Sequence, residues 1–137
     1  MNSHDRTASS SRTVLLAGAI NAALAVIAGA FGAHGLEGRV SDRLLGAFET
    51  GAQYHFYHAL GLILIALAMA QFSGSRWFPR AAVMMQVGIL LFSGSLYALA
   101  LTGNTKLGVV TPFGGLSFIA SWAMVAIAAT QAGQRHK

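Results

Sequence analysis

The sequence predicts an all-α integral membrane protein, a four-helix bundle of antiparallel up-down spans with a short amphipathic helix before the second. Three observations predict it. Only 9% of the 137 residues are charged and mean hydropathy is +0.59, whereas soluble domains carry roughly 25% charged residues. The few charges are clustered, so that residues 13–36, 50–75, 81–105 and 107–134 contain no Asp, Glu, Lys or Arg; each interval exceeds the about 20 residues a spanning helix needs. At or near the ends of these intervals lie turn and interface signals, among them Gly74, Pro79, Gly103-Asn104 and Thr111-Pro112. One membrane domain over residues 13–130 accounts for almost the whole chain, with spans expected at about 13–34, 54–72, 80–101 and 112–130.

Residues 1–12 are rich in Ser and hold little to bury, so a disordered tail is expected there. In the first span Gly18, Ala22, Ala25, Gly29 and Ala33 recur every three or four positions, a smooth stripe where another helix can approach closely. Its strongly polar residue is Asn21. Ala28-Gly29-Ala30 has the small-residue character of a signal-peptide cleavage site, but the apolar stretch outruns a signal core of about 7–15 residues, so the span is expected to be retained.

Glu37–Gln53 is the charge-mixed stretch. Ser41 is a suitable N-cap for a helix beginning at Asp42, and Leu44, Leu45 and Phe48 fall on one side of it. A straight helix from 42 to 72 would measure about 46 Å against a hydrocarbon core of about 30 Å, so an interfacial amphipathic helix over 42–53, bent at Gly46 or Gly51, is expected to lead into the second span. Trp77 and Phe78 sit at interface level, Pro79 starts the third span, and Thr102–Lys106 makes the next turn. Thr111 and Pro112 read as N-cap and first residue of the fourth span, after which 131–137 is a polar tail.

Four spans put both termini on one side of the membrane. That side carries Arg6, Arg12, Arg76, Arg80, Arg135 and Lys137, the other Arg39, Arg43 and Lys106, which predicts cytoplasmic termini. The net charge of +5 is spread along span flanks and forms no nucleic-acid patch. No cysteine is present, so disulfide and thiolate chemistry are excluded. No charge lies deep in a span, which disfavours an ion-coupled pump. Phosphate loops, nucleophile elbows and His-Glu-x-x-His helices are absent, and no enzymatic activity or cofactor is expected.

Chemistry, if any, concentrates in histidine. His34 closes the first span, while His55 and His58 open the second at positions i and i+3. Neutral imidazole ligates zinc, copper or iron, yet the simpler reading is that His34 and His58 bridge helices by hydrogen bonds. Glu49, Gln53 and Tyr57 run down one helix side, most simply as a solvated face. Ser93-Gly94-Ser95 with Tyr97, Gly114-Gly115 with Ser117 and Ser121, and the pair Asn21 and Gln86 read as close-packing and interhelical hydrogen-bonding positions.

Gly29-Ala30-Phe31-Gly32-Ala33-His34-Gly35-Leu36, then Phe48-Glu49-Thr50-Gly51 leading to Tyr54 and Tyr57-His58-Ala59-Leu60, then Leu91-Phe92-Ser93-Gly94-Ser95-Leu96-Tyr97 and Thr111-Pro112-Phe113-Gly114-Gly115 together resemble the small membrane proteins of domain of unknown function family 423. This family is also called uncharacterised protein family 0382 and is similar to eukaryotic transmembrane protein 256. The resemblance covers about residues 13–130 and implies a four-helix protein of the bacterial inner membrane without established activity. It places His34 and His58 on motif positions and His55 off them, which weakens a three-histidine metal site. It also makes Tyr97 and Thr111, with Glu49 and Gln53, candidates for a polar surface at the outer half of the bundle.

Three functions follow as alternatives. The first is a non-enzymatic bundle acting by packing with lipid, another membrane protein or a second copy of itself, with no small-molecule substrate. The second is a small transporter with His34, Gln53, His58 and Tyr97 lining a vestibule. The third is a metal- or haem-associated redox protein using His34 and His58.

Overall fold

The computed structural model describes residues 3–72 and 74–132. Five α-helices build four spans: α1 Ser3–Phe31, α2 Asp42–Gln71, α3 Trp77–Gly88, α4 Gly94–Thr102 and α5 Thr111–Ala132. α1 ends in a π-helical turn, Gly32–Leu36, and a second π turn, Ile89–Ser93, joins α3 to α4 into one continuous span. Four helical stretches, Ala8–Leu36, Asp42–Gln71, Trp77–Thr102 and Thr105–Gln131, are long and apolar enough to cross a bilayer.

The helix starts and stops follow local chemistry. Ser41 Oγ accepts a hydrogen bond from the Leu44 backbone N–H at 3.4 Å and caps α2. Gly103, at φ 69°, takes the left-handed conformation that ends α4, and its N–H closes onto the Leu99 carbonyl at 2.9 Å. Asn104 then caps a short 3-10 turn, Thr105–Val109, by accepting from Lys106 N–H at 3.1 Å, and α5 begins at Thr111.

Two expectations about the helix entries are corrected. Residues 3–12 continue α1 rather than forming a tail, and Ser11 Oγ, turned back onto the Ala8 carbonyl at 3.0 Å, satisfies its own polar group within the helix. Residues 1–2 of that expected tail and 133–137 of the expected C-terminal one lie outside the described residues. The amphipathic stretch 42–53 is the first three turns of α2 and not a separate helix. A Cβ at Gly51 would stand 3.1 Å from Tyr97 Cε1 and 3.2 Å from Leu96 Cβ, so this glycine is a seat for α4.

Contacts climb one helix as they descend its neighbour. Gly18 faces Ile63, and Gly32 faces Phe48; Gly61 faces Met85, and Gly51 faces Tyr97; Gly88 faces Phe118, and Gly114 faces Phe92. This is the antiparallel pattern. One apolar core lies towards the end of the bundle that holds the α2–α3 connection, built from Leu62, Ile65, Met69, Phe78 and Met85 with Phe118 of α5. A smaller one, Leu36, Phe48 and Ala100, lies at the other end. Large apolar side chains also cover the outside, Leu16, Ile20, Leu24 and Ile27 on α1 and Phe113, Leu116 and Ile119 on α5 among them. In water such a surface would drive aggregation; in lipid it is the favoured solvent-facing surface.

Candidate functional site

Between the two cores a line of polar side chains crosses the bundle. Asn21 on α1 donates from Nδ2 to the Ala17 carbonyl at 2.8 Å and to Gln86 Oε1 on α3 at 2.9 Å. Its Oδ1 lies 3.0 Å from His55 Nε2 on α2, and His55 Nδ1 lies 3.1 Å from the Tyr97 hydroxyl on α4. Asn21 and His55 are 9% and 6% exposed, so unpaired polar groups here would be costly.

The pattern of donors orders the chain. With Nδ2 engaged at two acceptors, Asn21 Oδ1 accepts, which requires His55 Nε2 to carry the proton and donate. In the neutral ring His55 Nδ1 then has only a lone pair, so the Tyr97 hydroxyl donates to it. Every hydrogen bond points from Tyr97 towards Gln86. Three of the four spans are joined in this way, and none of the groups is charged in the arrangement.

His58, one turn along α2, has a different environment. Its Nδ1 lies 2.7 Å from the Tyr54 carbonyl, which can only accept, so Nδ1 carries the proton. The ring stacks flat on Phe118 of α5, with centroids 3.4 Å apart and planes 8° from parallel. His58 thus meets α5 by stacking, and its hydrogen bond stays within its own helix. His34 is exposed in the π turn that ends α1. The structure thus gives the two histidines separate surroundings, and among the described residues no group of three or more His, Cys, Asp or Glu side chains is placed to hold a metal ion.

The remaining candidates divide in the same manner. Glu49 and Gln53 are exposed along α2. Tyr97 is half-buried against Phe48, with ring centroids 4.7 Å apart. Thr111 lies 2.7 Å from Ser95 Oγ; because Ser95 donates to the Phe92 carbonyl at 2.9 Å, the Thr111 hydroxyl donates to Ser95 and ties the start of α5 to α4. Ser121, fully buried, donates to the Ala81 carbonyl at 2.7 Å and ties α5 to α3. Ser117 instead donates within α5, to the Phe113 carbonyl at 3.1 Å. Ser93 is 1% exposed in the second π turn, with no hydrogen-bond partner for its hydroxyl.

Sequence reasoning thus found Asn21, Gln86 and Ser121 as interhelical hydrogen-bonding positions but gave too little weight to His55. The available signal was register: on α1 and α2, packed antiparallel across a five-residue connection, Asn21 and His55 stand at matching depth.

These features define a multi-pass helical membrane protein whose polar interior is largely paired within itself. The chain belongs to the family described as Protein of unknown function (DUF423), whose model matches residues 28–115. Among its relatives, the UPF0382 membrane protein YwdK of Bacillus subtilis (strain 168) is 50% identical over 120 residues, 88% of this chain and 98% of that one. The UPF0382 inner membrane protein YgdD of Escherichia coli (strain K12) is 41% identical over 119 residues, 87% of this chain and 90% of that one. No solved structure matches the chain.

Proposed function

We propose that this protein is a non-enzymatic bundle of the inner membrane, with both termini in the cytoplasm, that acts in the plane of the bilayer by packing with lipid, a membrane partner or itself. The observation that carries this reading is where its polar atoms go. Asn21, Gln86, His55 and Tyr97 spend their hydrogen bonds on one another, and Ser95, Thr111 and Ser121 on neighbouring helices. What the bundle offers to the outside is an apolar lateral surface. The inner-membrane placement follows the name of the Escherichia coli relative, and the orientation follows the excess of basic residues at the ends of α1, α3 and the C-terminus.

Purified protein in liposomes tests the reading. The expected results are no flux of ions or small solutes above empty vesicles, and the same metal content and absorption spectrum for the wild type and His34→Ala. Flux that disappears in a folded His58→Asn variant would establish the transport alternative, and one equivalent of metal lost in His34→Ala would establish the redox one. Reporter fusions at the two termini should both read cytoplasmic.

A further inference from the structure

At the end of the bundle that carries the α2–α3 connection, α1 and α3 stand apart enough to leave a lateral groove of about 360 Å³, within the size range of small-molecule sites. Its floor is Leu62 and Met69 of α2; its walls include Val14 and Ala17 of α1 and Ala82 and Val83 of α3. Gln86, its Oε1 already held by Asn21, marks the deep end. Towards the membrane surface the groove becomes polar. Ser10, Met69 and Pro79 also line an adjoining hollow of about 230 Å³ that Arg76 borders. Ser9 and Thr13 also line a second hollow, which Arg12 borders.

The two hollows that adjoin the groove mouth thus each carry a guanidinium group, Arg12 on α1 and Arg76 just ahead of α3, both exposed. Arg76 and Arg80 each lie 5.6 Å from the centre of the ring of Trp77, which follows Arg76 directly in the chain. The acidic side chains that the structure describes, Glu37, Asp42 and Glu49, belong to the opposite end of the spans. An apolar slot that opens between cations matches a molecule with an acyl chain below an anionic head.

We propose that this groove is a binding site for an anionic phospholipid, its phosphate between Arg12 and Arg76, its ester region beside Ser10 and Thr13, and one acyl chain laid between Val14 and Ala17 of α1 and Val83 of α3. The inference rests on the reading that the protein acts through its lateral surface and names the lipid for one part of it. It does not depend on which side of the membrane the termini occupy.

Trp77 makes the site readable. In a Trp122→Phe background Trp77 is the one remaining tryptophan, and brominated phosphatidylglycerol or brominated phosphatidylcholine added to the protein in detergent micelles quenches it on binding. The expected result is about thirtyfold tighter quenching by phosphatidylglycerol, the size expected for two arginines near an anionic head. Arg12→Gln with Arg76→Gln should bring that ratio close to one. Thr13→Phe, an exposed position at the groove mouth, should weaken both lipids about equally while leaving thermal stability intact.

Equal quenching by the two lipids in the wild type would overturn the proposal, as would selectivity that persists in the double arginine variant. A second copy seated in the groove would also overturn it: Thr13→Cys, the sole cysteine in such a chain, would then cross-link between copies at the same rate with or without phosphatidylglycerol. None of these results alters the flux and metal measurements, so the site and the non-enzymatic reading fail separately.

Discussion

Replacing His55 by Leu removes two hydrogen bonds between helices, to Asn21 at 3.0 Å and to Tyr97 at 3.1 Å, while keeping an apolar side chain of similar bulk. Interhelical hydrogen bonds in membrane proteins average about 0.6 kcal/mol with a ceiling of about 1.7. The two lost bonds therefore account for about 1.2 kcal/mol. The variant also strands Asn21 Oδ1 in a buried position, and an orphaned buried group costs about 1–3 kcal/mol. The expected total loss is about 2–4 kcal/mol. A double-mutant cycle isolates the bond itself: Tyr97→Phe removes only the hydroxyl and leaves the ring against Phe48, so its coupling with His55→Leu should be about 0.6 kcal/mol. The cycle between His55→Leu and Asn21→Leu should give a similar or larger value, up to about 1.7 kcal/mol. Reversible unfolding by sodium dodecyl sulfate in mixed micelles, followed by tryptophan fluorescence, measures all of these variants. Coupling within about 0.3 kcal/mol of zero in both cycles would refute the claim that these side chains form one connected chain.

The donor pattern predicts that His55 and His58, three residues apart, are opposite neutral tautomers: nitrogen-15 NMR should show the proton on Nε2 of His55 and on Nδ1 of His58. Gly114→Ala should destabilise by about 1–3 kcal/mol, because its Cβ would meet the Phe92 backbone, 2.7 Å from Cα. Gly29→Ala, with nothing within 4 Å of its added Cβ, should leave the same unfolding curve unchanged or slightly raised. Ser121→Ala should cost about 0.6 kcal/mol by loss of its 2.7 Å bond to the Ala81 carbonyl.

The four spans were legible in the sequence because lipid punishes charge: charge-free intervals such as 81–105 and 107–134 fall almost on the observed Trp77–Thr102 and Thr105–Gln131. Caps were legible for a similar reason, since Ser41 and Gly103 perform functions that few other residues can. Helix continuity was less so. Gly51 looks the same in a string of letters whether it bends a helix or admits a neighbour, and only Leu96 and Tyr97 packed against it decide. Both π turns were unreadable, because Gly32–Leu36 and Ile89–Ser93 contain nothing that an α-helix would refuse. In the site, the family-motif position of His58 pointed to function, whereas the chain's position across helices made His55 the residue at the junction. Which histidine bridges depends on the rotation of α2 about its axis, a tertiary quantity.

The α1 stripe of small residues is smooth on both sides of Asn21. One turn away in either direction stand Ala17 and Ala25, and one turn from His55 stand Gly51 and Ala59. Surfaces of this kind allow two helices to lie close at several offsets with little to choose between them. The Asn21–His55 contact removes that freedom, for a slip of one turn, about 5.4 Å, would set an amide and an imidazole against alanine or glycine and leave both unpaired. One polar rung therefore acts as the detent of a sliding scale: the small residues bring the spans together, and the rung sets the offset at which they stop.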